Sequence, residues 1–333
     1  MKNTRRVFIE KSFITVAGMT AGFNAIFPDN LFESCGSSTF ATAFQPDDDA
    51  FKISLFSKHL QWLDFDRMAD ALAVTGFDGA DLTVRPGGHV EPENVERDLP
   101  KAAEALSKRN KKIYMITTSV NSADAPVTDK IIKTCSELGI KRYRMDWSYY
   151  DNAKTIEENI TIIKTQMSKL AELNEKYSVS GEYQNHSGVA GNRIYFGGAV
   201  WDIAFILKEI NSKWLGVQYD VYHATVEGAN AWSIGLKLIS PFIRSIVIKD
   251  FEWINKKSEP VPLGEGRVDF KKYFSILKEL NIAVPVSVHL EYPLGGAENG
   301  AKTITVNDEV VFNAMRKDIS VLKNYLKEAG LRD

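Results

Sequence analysis

Cysteine is nearly absent from this chain. Its two residues, Cys35 and Cys135, cannot build a disulfide framework across 333 positions. Cys135 falls in the apolar helical stretch 131–138, the setting of a small core residue rather than a redox group. An excess of charge of one sign is also missing. The 41 Lys and Arg against 43 Asp and Glu give a net charge of −2, which offers nucleic acid no basic surface and a membrane no polybasic face. Beyond the N-terminus no apolar run is long enough to span a bilayer. After residue 50 there is neither a linker nor a low-complexity segment. A hydrophobic content of 44% with 25% charged residues is ordinary globular usage, and it suffices for a large single core.

The first 43 residues read differently. Arg5-Arg6 follow Thr4, Phe8 and Ile9 come next, and 12–27 is mostly apolar or small. A basic start before a short apolar stretch predicts an export signal of the twin-arginine type. Two exits are open: cleavage at Ala41-Thr-Ala43, or a lipid anchor on Cys35. The expectation is a periplasmic protein, with a leader over 1–43 and one catalytic domain over 44–333.

From residue 51 short apolar or β-branched runs alternate with segments of helical period. Eight runs stand out: 51–56, 79–84, 112–118, 142–146, 177–183, 215–219, 245–248 and 285–290. Amphipathic stretches lie between them, at 65–74, 94–107, 128–138, 153–176, 201–210, 270–280 and 308–328. Strand–helix alternation predicts parallel pairing through right-handed crossovers, and eight such units close into a (β/α)8 TIM barrel of class α/β.

Four of these runs end in polar residues: Glu182, Gln184 and His186; Asp220 and His223; Lys249 and Asp250; His289 and Glu291. In a parallel barrel such ends converge at the C-terminal rim, where catalytic groups sit. Residues two apart share a strand face, so Glu182, Gln184 and His186 lie on one line, and His289 with Glu291 on another. A buried carboxylate must be paired, hydrogen-bonded or metal-bound. Carboxylates from several strands suit Mn²⁺ or Mg²⁺, and an added imidazole shifts the choice toward Zn²⁺, Mn²⁺ or Fe²⁺. Structural ion pairs with Lys249, Arg144 or Arg244 are the competing reading. Lys58, His59, Arg85, His89 and Trp147 complete the rim candidates. Polar groups beside an aromatic platform suit a sugar. Gly264 and Gly266 read as turn formers.

Gly76-Phe-Asp-Gly79, His186-Ser-Gly188, Asp220-x-x-His223, Lys249-Asp-Phe251 and Leu263-Gly-Glu-Gly266, with Val268-Asp-Phe270, occur in that order. Over residues 51–330 the chain thereby resembles the xylose isomerase-like TIM barrels, the sugar isomerases and epimerases with their AP-endonuclease relatives. The resemblance implies a divalent metal held by Glu, Asp, His and Glu from strands five to eight. Asp220 and Glu291 match two of these positions. The fifth-strand position is Gln184, or Glu182 in a second register, and the seventh-strand His is replaced by Val247. The implied metal set is therefore Gln184, Asp220 and Glu291, with His289 as substitute. Glu291 is the expected base, with Lys249, His186 or His223 as acid partner, and Glu182 supplies a second base if the second register holds. Lys58, Arg85, His89, Trp147 and His223 are expected to bind substrate. The resulting expectation is an exported isomerase or epimerase, or a lyase on 3-keto-glycosides. It would abstract a proton beside a carbonyl of an unphosphorylated sugar or oxidised glycoside, assisted by a metal. The alternative is a carbohydrate-binding barrel without catalysis.

Overall fold

A computed structural model describes residues 48–332. The expected leader over 1–43, with Cys35 and the Ala41–Ala43 exit, lies outside the described residues.

Eight parallel strands close into a barrel: β1 Ile53–Phe56, β2 Gly79–Val84, β3 Lys112–Thr118, β4 Arg142–Arg144, β5 Ser180–Gln184, β6 Leu215–Asp220, β7 Ile243–Ile248 and β8 Val286–Val288. Each pairs with its sequence neighbours, and β1 with β8 completes the circle through Ile53↔Val286 and Leu55↔Val288. The strands read as unbroken apolar runs because a parallel barrel buries both of their faces. Helices α1 Phe65–Thr75, α2 Val95–Ser107, α3 Thr128–Glu137, α4 Ile156–Tyr177 and α5 Trp201–Ile210 surround the first half. In the second half stand α6 Val221–Gly228, α7 Trp232–Ile239, α8 Phe270–Glu279 and α9 Asp308–Glu328. Cys135 is fully buried on α3, as its surroundings predicted, and burial pushes its thiol well above the ordinary range.

The fifth strand starts three residues later than the sequence suggests. The periodic helix α4 keeps Tyr177, and Ser178 closes it in a left-handed conformation. Helix α4 also begins with a reciprocal cap, in which Thr155 accepts from the Glu158 amide and Glu158 from the Thr155 amide. The pair α6–α7 was not legible, because their boundaries carry no break strong enough to interrupt the apolar pattern. Helix α6 opens directly from β6, capped by Asp220, whose Oδ1 accepts from the His223 amide at 3.2 Å. The Asp220-x-x-His223 spacing is therefore first a helix start: a carboxylate at the cap and its N3 residue.

Two features fix the loops at the C-terminal rim. Asn185 bridges the ends of β5 and β6 by donating to the Asp220 carbonyl and accepting from the Asp220 amide. Asp250, just past β7, accepts from four backbone amides, those of Phe251, Gly264, Gly266 and Val268. The glycine loop closes around this carboxylate as a turn. At Gly266 a Cβ would stand 2.3 Å from the Phe251 carbonyl oxygen and 2.4 Å from Asp250 Oδ1. No rotamer relieves a clash with backbone, so Gly266→Ala should destabilise the fold by about 1–3 kcal/mol or more. Its urea midpoint, compared with that of the wild-type protein, measures the cost.

Candidate active site

The barrel interior carries two polar layers. In the lower one Asp81 accepts from Thr117 Oγ1 at 2.8 Å and Ser287 Oγ at 2.7 Å. Glu182 accepts from Ser245 and faces Arg142 at 3.3 Å. Burial pushes the Glu182 carboxyl up to about 7, against the pull of Arg142. The sequence placed Glu182 among the catalytic groups, and its position corrects this. It shares a face with Gln184, but sits one layer deeper and does not line the pocket.

The upper layer opens to solvent in a pocket. It is lined by Phe56, Lys58, Arg85, Arg144, Trp147, Gln184, His186, Lys249, His289 and Glu291. At its base stands the Lys249 ammonium, 96% buried. It donates to Glu291 Oε2 at 2.9 Å and to His223 Nε2 at 2.9 Å, and lies 3.2 Å from Asp220 Oδ2. Its three hydrogens thus have three partners. Because His223 Nε2 accepts, its Nδ1 carries the hydrogen and donates to Ser187 Oγ at 2.8 Å. Burial disfavours the Lys249 cation, but Asp220 and Glu291 outweigh it and hold its pKa above the ordinary value. Burial also works against the Glu291 carboxylate. Lys249, and Lys58 at 2.8 Å from Oε1, prevail and hold it well below the usual range.

A divalent ion does not fit these residues. It would need the lone pairs of Asp220, Glu291 and His223 that Lys249 occupies, and it would meet an ammonium at hydrogen-bonding distance. Gln184 is also committed: its oxygen accepts from Arg144 Nη1 at 2.8 Å and its amide donates to Asp220 Oδ2 at 2.9 Å. His289 stacks on Phe56 at 4.4 Å, with Nδ1 3.7 Å from Glu291 Oε1. Among the described residues no three His, Cys, Asp or Glu side chains group to hold a metal. Of the expected set, Gln184, Asp220 and Glu291 converge as a hydrogen-bonded cluster around a lysine, and His289 stands beside it with both ring nitrogens unpartnered among the described residues. Val247, two residues before Lys249 and fully buried, supplies an apolar side chain where the resemblance implied an imidazole.

The other expected residues divide. Lys58, Arg85, Trp147 and His186 line the pocket. His223 stands behind it, stacked on His186 with ring centroids 3.8 Å apart. His89 is held against Thr83 Oγ1 of β2 and the Leu60 carbonyl after β1, and does not line the pocket. His59 likewise accepts from the Leu290 amide inside the wall. Three contributors went unread. Phe56 ends β1 as an ordinary apolar strand residue, Arg144 was weighed only as an ion-pair partner, and Tyr195 comes from a loop. A small sheet joins Tyr149–Tyr150 to Arg193–Tyr195 and sets Tyr195 against His186 at 4.2 Å and Trp147 at 5.5 Å.

The chain belongs to the xylose isomerase-like TIM barrel family, whose sequence model matches residues 69–309. Solved structures share its fold at low identity. An L-ribulose 3-epimerase superposes with a TM-score of 0.63 at 15% identity, over 84% of this chain and 96% of the other. The 3-keto-D-glucoside 4-epimerase of E. coli gives 0.61 at 12%, over 82% and 99%. A D-psicose 3-epimerase from Clostridium cellulolyticum H10 gives 0.61 at 11%, over 83% and 99%. No curated protein matches the sequence.

All five histidines of the chain are held below the ordinary imidazole value, chiefly by burial: His59 and His223 well below, His89 to about 4, His186 and His289 to about 3. A depressed histidine contributes stability that is complete above its unfolded value of about 6.5 and is lost as pH falls toward its folded value. Asp81, Glu182, Asp220, Asp250 and Asp318 are raised, chiefly by burial, and act in the opposite direction. The histidines and these acids therefore oppose each other between pH 7 and 5, and single variants separate them. His89→Gln should tilt the dependence of the urea midpoint on pH toward greater stability at low pH, by up to one proton, or ~1.4 kcal/mol per pH unit.

Proposed function

We propose that this protein is a sugar isomerase or epimerase that moves a proton at a carbon beside a carbonyl, with Glu291 as base and the Lys249 ammonium as electrophile. The observation that carries the reading is the Lys249 cation, 2.9 Å from the one carboxylate that lines the pocket. Family membership supports it, as do fold neighbours whose names describe epimerisation of ketoses and of a 3-keto-glucoside.

The chemistry follows from the charges. Removing a proton beside a carbonyl leaves an enediolate, and the barrier falls when donors stand where that charge develops. Lys249 and Lys58 are such donors, and both rest on Glu291. A carboxylate clamped by two ammonium groups is a weak base. As negative charge appears on the sugar oxygens the lysines transfer their hydrogen bonds to it, and Glu291 gains basicity in step. His223 cannot serve as the acid, since its Nε2 already accepts from Lys249. Asp220 and His223 instead keep Lys249 protonated and aimed. Epimerisation, aldose–ketose isomerisation and β-elimination all share this first proton transfer. Export to the periplasm, and action there on an unphosphorylated sugar or oxidised glycoside, complete the proposal.

Solvent deuterium exchange into candidate sugars, followed by NMR, tests the reading. Glu291→Gln should lower exchange by about 10²–10⁴-fold while sugar binding survives. Lys249→Met should lose exchange as well. Dialysis of wild-type protein against a chelator should leave exchange unchanged, and exchange lost to chelator and regained with Mn²⁺ would return the metal to the mechanism. Wild-type protein that binds sugars without exchanging any of them would be a carbohydrate-binding barrel.

A further inference from the structure

The positive charge of the pocket exceeds what Lys249 and Glu291 explain. Three cations surround the Phe56 ring: Arg85 at 5.4 Å from its centroid, Lys58 at 5.5 Å and Arg144 at 6.0 Å. Lys58 is satisfied by Glu291. The two arginines are not matched in this way. Arg144 is 97% buried, and its one hydrogen-bond partner is Gln184; its Nε has none. Arg85 is half-buried, and its guanidinium makes no side-chain hydrogen bond among the described residues. Asp81 and Asp146 lie within electrostatic reach of both arginines. Their recorded bonds go elsewhere, from Asp81 to Thr117 and Ser287 and from Asp146 to the Trp147 amide. Beside the arginines the buried Trp147 Nε1 also lacks a partner, while the Trp147 ring lies 4.4 Å from Arg144. Four cations, Lys58, Arg85, Arg144 and Lys249, thus line a pocket to which Glu291 brings the one carboxylate, and such an excess favours an anionic ligand.

We propose that the substrate is an acidic sugar whose carboxylate is held by Arg85 and Arg144 beside Phe56, with its reacting carbon at Glu291 and Lys249. Guanidinium groups match a carboxylate by paired N–H donors. Phosphate is the weaker fit for one reason. The glycine loop that would offer backbone amides to a phosphate has spent those of Gly264, Gly266 and Val268 on Asp250. The inference deepens the proposed function and rests on its reading of the pocket as a sugar site.

Calorimetric titration of the intact protein with hexuronic acids and with the hexoses that differ only in lacking the carboxylate tests it. Glucuronate or galacturonate should bind at least about tenfold tighter than its neutral counterpart, the equivalent of one charge-assisted hydrogen bond. Arg85→Gln should lower uronate affinity by at least about tenfold more than it lowers neutral-sugar affinity. Equal affinity for acid and neutral sugars, or an equal loss of both in Arg85→Gln, overturns the acidic-sugar assignment while the sugar site stands. Glucose 6-phosphate binding tighter than every uronate also overturns it. If no sugar of either kind binds, the proposed function fails with it.

Discussion

One buried ammonium organises this site. Lys249 rises from the end of β7 into a space walled by carboxylates and an imidazole from three other elements, and each of its hydrogens finds a partner. Burying an isolated charge costs far more than a protein's net stability can bear, so Lys249 and its acidic partners are conditions of one another's burial. The arrangement reaches outward from there. Asp220 must be ionised to match Lys249, and is then free to cap α6. His223 must be neutral to accept, which fixes its tautomer and the orientation of Ser187. Glu291 must face inward, and that draws Lys58 across from β1.

The barrel itself was legible because parallel strands buried on both faces leave continuous apolar runs, and eight of them stood out between amphipathic helices. Asp220, Lys249 and Glu291 could be singled out for the same reason, as charges at the ends of such runs. Depth was harder to read. Strand periodicity put Glu182 and Gln184 on one line, but a period of two does not say which layer reaches the opening, and only Gln184 does. His89 and His59 show the converse case. Both follow strands in sequence, yet backbone groups of neighbouring loops, those of Leu60 for His89 and of Leu290 and Ala297 for His59, capture their rings. Arg144 and Phe56 were passed over because an arginine near acids and a phenylalanine in a strand each have an ordinary explanation. Their role comes from long-range convergence, which no local pattern records.

A lysine in place of a metal alters more than the inventory of ligands. A divalent ion is an exchangeable centre whose affinity follows pH and supply, whereas an ammonium is covalently part of the chain and its charge is set by its neighbours. It is also directional. Three N–H vectors can point to three acceptors, and a substrate oxygen must take one of them from a residue that already holds it. The competition is then between Glu291 and the substrate for the same hydrogens.

Lys249 and Asp250 are consecutive in the chain. The first side chain points into the site, and the second holds four amides of the Gly264–Val268 loop and its surroundings. A single peptide plane therefore links the charge that faces the substrate to the loop that leads into α8. The geometry of the ammonium is set from below by the barrel and from the side by that loop. An insertion in the glycine turn, remote from any sugar, would rotate the plane and be felt as a misaimed cation.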